Sequence, residues 1–469
     1  MVSSDRVFGE GPREACGLVG AWAPGEDVSR LLYFGLYALQ HRGQESAGIA
    51  VSDGQNILVY RELGLVSQVF DERTLSTLQG DLGIGHTRYS TTGSTTWDNA
   101  QPTFKTDGAR GLALGHNGNL VNTGDLAERV GRRGPATTDS DLVAGLLSRE
   151  QTDLETAAMR VLPTLQGAFS FVLMDERTVY GARDPHGLRP LAIGRLRTGW
   201  VLASETAALD IVGADYVREV EPGELVTIDD RGLRSMRYAE TPRHALCLFE
   251  FVYLARADSR LYGRTVHEAR REMGRRLARQ APPPADLVIP VPDTGHSAAA
   301  GFAEESGIPY GEGLIKNRYV HRTFIEPTPA LRQRGVRLKL NPLPDTVRGK
   351  RLAVVDDSIV RGTTTRQIVQ MLRDAGAREV HMRITSPPIR WPCFYGIDMS
   401  TEEELVAASM ATDEIRDFIG ADSLTYLELS ELVAATDAPA DAFCRACFDG
   451  QYPVAVPGHA PSKHLLERE

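Results

Sequence analysis

The chain has 469 residues, 42% of them hydrophobic and 24% charged, and a formal net charge of −10. That length exceeds one ordinary domain and the composition is that of a soluble globular protein, while the acidic balance argues against a general nucleic-acid binder and leaves room for a local basic site. Residues 1–15 lack the apolar run of a secretory signal, and LLYFGLYAL is far too short to span a membrane, so a cytoplasmic location is expected.

In chain order, a hydrophilic leader ends at Ala15, directly before the first of only five cysteines, Cys16. From there to about residue 243 the chain is rich in Gly and in short alternating segments. NILVYREL, GAFSFVLMD and ELVTIDD predict strands of a mostly antiparallel sheet, and DSDLVAGLLSRE between them has helical spacing. Pro242 and polar neighbours in YAETPRHALC mark a boundary. Beyond it strand, loop and helix alternate: ADLVIPV, PDTGHSAAAGFAEESG, RLAVVDD, SIVRGTTTRQIVQMLRDAGA and EVHMRIT predict a parallel sheet covered by helices. APPPAD is a stiff connector within this half, between a basic helix and a buried strand.

RLAVVDDSIVRGTTTRQIVQML is an apolar strand ending in Asp356 and Asp357, a loop of small residues, and a helix with Ile368, Val369, Met371, Leu372 and Ala375 on one face. The amides and hydroxyls of Ser358, Gly362, Thr363, Thr364 and Thr365 can surround a phosphate at the positive end of that helix. The two carboxylates would repel the phosphate, so they suit a sugar diol, alone or with a divalent cation. A buried strand with a capped helix is the plain alternative, but adjacent buried acids are costly without a ligand. A second small-residue turn, VPDTGHSAAAG, holds Asp293, Thr294 and Gly295 at another strand end.

Cys16 on its own reads as a small buried apolar residue, but its context favours a nucleophile. LQHRGQESAGIA, GHTRYSTTG, LGHNGNL and TTDSDL follow in that order. Arg88 suits a carboxylate, Asn117 with the Gly118 amide an oxyanion, and Asp139 an amine. Together they describe a pocket for an amino acid whose side-chain carbonyl is attacked by a thiol, which fits glutamine. Cleavage after Ala15 would give Cys16 an α-amine with a pKa of roughly 8 to serve as its base.

The other cysteines, Cys247, Cys393, Cys444 and Cys447, include one C-x-x-C pair with two remote partners, a set that suits structural zinc or a four-iron cluster.

The phosphate-loop element resembles the signature of the type I phosphoribosyltransferases, and the Cys16 motifs resemble the N-terminal nucleophile glutamine amidotransferases. Joined in one chain, from Cys16 to about Tyr452, they resemble the amidophosphoribosyltransferase family. The resemblance implies an N-terminal nucleophile αββα sandwich (α+β) followed by an α/β type I phosphoribosyltransferase parallel-sheet domain. Residues 1–15 would be a propeptide, 16–243 the glutamine amidotransferase domain, and 244–469 the phosphoribosyltransferase domain with a cluster-binding C-terminal segment. It implies that glutamine and phosphoribosyl pyrophosphate (PRPP) are the substrates and 5-phosphoribosylamine, at the start of purine synthesis, the product. Asp356 and Asp357 would take the ribose hydroxyls, the following loop the 5-phosphate, and Asp293–Gly295 the pyrophosphate. Magnesium would be held by Thr294, which stands where Ser is usual, with Asp356 and Asp357. HALCLFEFVYLARADS, WPCFYGIDM and FCRACFDGQYP match the branch with a 4Fe-4S cluster, with Ala257 in place of a usual Pro. The resemblance further implies a homotetramer inhibited by purine nucleotides, with Tyr89 carrying a signal between the sites.

KNRYVHRTFIEPTPALRQRGVRLKL, from Lys316, carries seven Lys or Arg residues and one acid, Glu326. Such a run often is only a solvated face, but it lies between the two phosphate loops, and Pro327 and Pro329 oppose a regular helix or central strand. It predicts a lid with Lys316 and Arg318 on pyrophosphate, and His321 replaces a Gly usual in the family. Two other readings fit parts of the chain. Another amidotransferase is opposed by the phosphoribosyl signature and the lack of an SGG-type ATP loop, and a PRPP-sensing regulator by the intact nucleophile pocket.

Overall fold

The computed structural model describes residues 15–90, 93–106, 110–131, 135–317, 339–399 and 401–457. In the first half, strands that alternate small and branched residues form two antiparallel sheets. The seven-stranded sheet has the order Asp215–Glu219, Ala192–Arg195, Trp200–Ala203, Gly17–Trp22, Leu82–Arg88, Ser46–Ser52, Ile57–Leu63. The six-stranded sheet runs Gly232–Arg237, Glu224–Asp229, Val179–Arg183, Gly167–Met174, Gly111–Leu120, Thr103–Thr106.

Leu18, Ala50 and Ile84 of the first sheet pack on Ala113, Val172 and Val226 of the second, so the inner strands are buried on both faces. Their outer faces are closed by helices. Leu32 and Leu36 of helix Val28–Ala38 cover the first sheet, and Leu142, Leu146 and Leu147 of helix Asp139–Arg149 cover the second. The result is an αββα sandwich. Gly17–Trp22, pairing with Leu82–Arg88 on one side and Trp200–Ala203 on the other, presents Cys16 at its start from the middle of the sheet.

The second half is built on a parallel sheet in the order Leu287–Pro290, Arg351–Asp356, Glu379–Ile384, Ser423–Tyr426. Met273, Leu277 and Phe302, from helices Val266–Gln280 and Gly295–Ser306, cover one face with Val288 and Val355. Ile368 and Leu372 of helix Thr363–Asp374 and Ile415 of helix Thr412–Ile419 cover the other with Ile289 and Val354. Parallel strands need such crossovers, and burial on both faces explains their nearly unbroken apolar runs.

The halves are stitched together by polar contacts. Cys247 N donates to Leu188 O at 3.1 Å, Asn119 Nδ2 to Phe394 O at 3.0 Å, and Tyr89 Oη to Asp398 Oδ2 at 3.1 Å. No helix among the described residues is long and apolar enough to cross a membrane.

Candidate active site

Cys16 is buried, and its Sγ lies 3.3 Å from the Tyr89 carbonyl oxygen and 3.5 Å from the Tyr89 amide. Burial pushes the thiol up to about 11, opposed by the Tyr89 contact and the Arg88 charge, and reinforced by Glu45 and Asp139. Three of the expected groups, Cys16, Arg88 and Asp139, thus share one electrostatic environment. Arg88, at the end of its strand, is buried with Nη1 3.2 Å from Ser94 O and 3.8 Å from the Glu45 carboxylate.

Asp139 opens helix Asp139–Arg149, where a carboxylate suits the positive helix end. It accepts from Leu120 N at 3.1 Å and Ser140 N at 2.9 Å. Burial alone would raise its pKa, yet the His116 ring and these amides hold it below the ordinary carboxylate range. Asn117 is fully buried, and neither its amide nitrogen nor its amide oxygen has a hydrogen-bond partner among the described residues. That is costly for a folded protein and suits a group kept for a ligand. Gly118 follows with φ +148°, and a Cβ there would lie 2.1 Å from Ala168 O and 2.9 Å from His116 Nε2, so only glycine fits.

In the second half, Asp356 ends its strand and Asp357 follows it, both buried. Burial raises both carboxyls, and the charge of Asp357 raises Asp356 further. Thr294 and Ser358 hydroxyls donate to the Asp357 carboxylate, which joins the two small-residue loops directly. Gly362 caps helix Thr363–Asp374 with φ +77°. The Thr363 hydroxyl is buried without a partner among the described residues. Thr294 precedes helix Gly295–Ser306, so both helix N-termini lie beyond strand carboxyl ends, where ligands of such sheets bind. Lys316 donates to the Asp293 carboxylate. Arg318, His321 and the rest of the predicted lid through residue 338 lie outside the described residues.

The four remaining cysteines come from distant segments. Cys247 and Cys444 are register partners in the short parallel pair Leu246–Cys247 and Phe443–Cys444. Cys447 lies in helix Ala446–Asp449, and its carbonyl accepts from Arg390 N and Trp391 N, at the head of the loop bearing Cys393. Burial raises Cys247, Cys444 and Cys447, and the thiols add to one another's shifts: Cys247 acts on both others, and Cys393 on all three. Among the described residues, no three His, Cys, Asp or Glu side chains are grouped to hold a single metal ion.

A family model described as a glutamine amidotransferase domain matches residues 86–210. An amidophosphoribosyltransferase of Mycobacterium tuberculosis is 58% identical, covering 97% of this chain and 90% of its own. The chain belongs to the amidophosphoribosyltransferase family. A Bacillus subtilis relative with that name is 46% identical over 98% of both chains. A solved glutamine PRPP amidotransferase from B. subtilis, complexed with ADP and GMP, matches with a TM-score of 0.91 and 45% identity over 96% of this chain and 100% of that one.

The chain also holds functional candidates that motif reading passes over. Arg42, inside LQHRGQESAGIA, is fully buried, with Nε donating to Cys16 O at 3.2 Å and the other nitrogens to Glu205 and Glu250. Arg189 bridges Glu250 at 3.4 Å to the Tyr395 carbonyl at 2.8 Å, two residues from Cys393. Arg270 donates to Phe251 O and Ala255 O at 2.9 and 2.8 Å, and its charge opposes the rise in Asp357. The available signal is a charged residue among residues otherwise fit for a core; the carboxylate partners of Arg42, 163 and 208 positions away, are invisible in sequence.

Proposed function

We propose that Cys16 carries the glutamine half of its family's reaction, in which glutamine and PRPP give 5-phosphoribosylamine, glutamate and pyrophosphate, the first step of purine biosynthesis. Removal of residues 1–15 frees the Cys16 α-amine, which takes the thiol proton. Sγ then attacks the glutamine amide carbon. Asn117 Nδ2 and the Gly118 amide hold the oxyanion, Arg88 the substrate carboxylate and Asp139 its ammonium. The proton passes to the departing ammonia, and water then cleaves the thioester to glutamate.

Ammonia, kept from bulk water where it would be protonated, attacks the ribose carbon as pyrophosphate leaves. Asp356 and Asp357 receive the ribose hydroxyls. Ser358, Gly362, Thr363 and Thr364 hold the 5-phosphate, and Asp293, Thr294, Gly295, Lys316 and Arg318 the pyrophosphate end. Magnesium fits beside Thr294, Asp356 and Asp357, a hard oxygen set with two raised carboxyls, where it would neutralise phosphate charge.

Cys247, Cys393, Cys444 and Cys447 fit a 4Fe-4S cluster. Iron is favoured over zinc by the likeness of HALCLFEFVYLARADS, WPCFYGIDM and FCRACFDGQYP to the cluster-binding branch of the family. Such a cluster would cross-link the three segments that carry its ligands. A homotetramer in the cytoplasm completes the reading; inhibition by purine nucleotides is supported by the Bacillus relative solved with ADP and GMP.

The observation that carries the glutamine half is the Asn117 side chain, fully buried with both polar atoms unpartnered among the described residues. Asn117→Ala should lower kcat for glutamine hydrolysis by about a hundredfold or more with KM little changed. An unchanged kcat would remove Asn117 from the oxyanion site.

A further inference from the structure

His116 immediately precedes the oxyanion candidate but points to different neighbours. Its ring is buried, 4.7 Å from the Phe171 ring centroid, with Nε2 3.3 Å from the Ala168 carbonyl oxygen. Nδ1 lies 3.2 Å from Ser140 Oγ and 3.5 Å from Asp139 Oδ1. Gln101 ties the same groups together, accepting from His116 N at 2.8 Å and donating to Ser140 Oγ at 3.0 Å. Gly118 completes the seat, because a side chain there would strike the ring.

We propose that His116 is a positioning residue for glutamine, holding the Asp139 carboxylate in the orientation and ionised state that receive the substrate ammonium. This rests on the assignment of Asp139 to that ammonium. A carbonyl oxygen faces Nε2, while Nδ1 faces the Asp139 carboxylate and the Ser140 hydroxyl, so the ring is seated against the carboxylate from both sides. Asp139 is buried, and without the ring its ionisation would depend on the Leu120 and Ser140 amides and the Ser140 hydroxyl at 3.4 Å. The other charged groups facing this end of helix Asp139–Arg149 are Asp141, paired with Lys105 at 2.7 Å, and across the site Cys16, whose thiol feels Asp139. The Asp141–Lys105 pair balances itself. His116 is thus the side chain that, with the Leu120 and Ser140 amides, counters the burial of Asp139.

The sign follows. Asp139 is held below the ordinary carboxylate range, so the ionised, ammonium-binding form persists as pH falls toward 5. Removing the ring leaves burial to raise it, and binding is then lost as pH falls through the raised value. The test is steady-state glutamine hydrolysis from pH 5.5 to 8 in the processed protein that begins at Cys16. His116→Leu should raise KM for glutamine about tenfold with kcat largely kept, and that KM should climb further with acid. His116→Asn, which keeps a donor near Nδ1, should restore KM near pH 8. Ammonia-dependent synthesis checks that each variant is folded. Asp139→Asn is the reference: if it raises KM while both His116 variants show wild-type KM at every pH, His116 has no positioning role. If Asp139→Asn itself leaves KM unchanged, the assignment of Asp139 fails and the proposal with it.

Discussion

Arg42 donates to the main-chain oxygen of Cys16 at 3.2 Å, so the nucleophile is held by a guanidinium whose other nitrogens belong to Glu205 and Glu250. Arg42 and Arg189 balance the two glutamates inside the protein. Arg42→Met would leave buried carboxylates without their main partner. It should destabilise the protein by about 3–5 kcal/mol, read as a lower denaturation midpoint in urea. Unchanged stability would mean that water reaches the pair.

The same network has a pH signature. Burial alone would raise Glu205, but the His41 and Arg42 charges hold it well below the ordinary carboxylate range. A depressed carboxyl contributes stability that is present above its unfolded value and lost as pH falls through its folded one. Acid unfolding of the wild type should therefore steepen below about pH 4, and Glu205→Gln should flatten that limb. Parallel acid limbs would contradict the assignment.

Much of this was legible in the sequence. GAFSFVLMD, ELVTIDD, RLAVVDD and EVHMRIT are strands in the structure because alternation or an unbroken apolar run between Gly, Pro and acidic punctuation is a local signal. Cys16, Arg88 and Asp139 could be grouped by chemical type before any geometry was known. The His116–Gln101–Ser140 brace and the Arg42 network could not. Their partners meet only after two sheets and two domains pack, and a buried charge has no periodicity of its own. The basic run after Lys316 is readable as charge, while residues 318–338 lie outside the described residues.

In the uncut chain, burial pushes the Cys16 thiol up to about 11, so little thiolate exists near neutral pH. Iodoacetamide should label Cys16 slowly at about pH 8 when Ala15 precedes it and much faster once Cys16 is the N-terminus. Peptide mass spectrometry distinguishes the two forms. Equal labelling rates would argue against activation by the freed amine.

The acid pair gives a separable outcome in the second half. Asp356→Asn or Asp357→Asn should weaken PRPP use with either glutamine or ammonia as nitrogen donor, while basal glutamine hydrolysis survives. Because burial raises both carboxyls, proton release on magnesium-PRPP binding should grow as pH falls, measurable by calorimetry in buffers of different ionisation enthalpy. Selective loss of glutamine hydrolysis would put the acids in the wrong site.

Loss of a cysteine should act on fold and colour together. Cys447→Ser in anaerobically purified protein should abolish visible absorbance and lower the unfolding temperature, since a cluster held by the four thiols would tie residues 247, 393, 444 and 447 together. A colourless, zinc-loaded and fully active wild type would replace iron with zinc.

On the proposed mechanism a thiol in the first half supplies nitrogen to a ribose in the second. Its most direct test is 5-phosphoribosylamine synthesis by purified Cys16→Ala with glutamine or with ammonia as donor. Glutamine-dependent synthesis should vanish and ammonia-dependent synthesis should remain near the wild-type rate. Glutamine-dependent synthesis persisting in Cys16→Ala would contradict it.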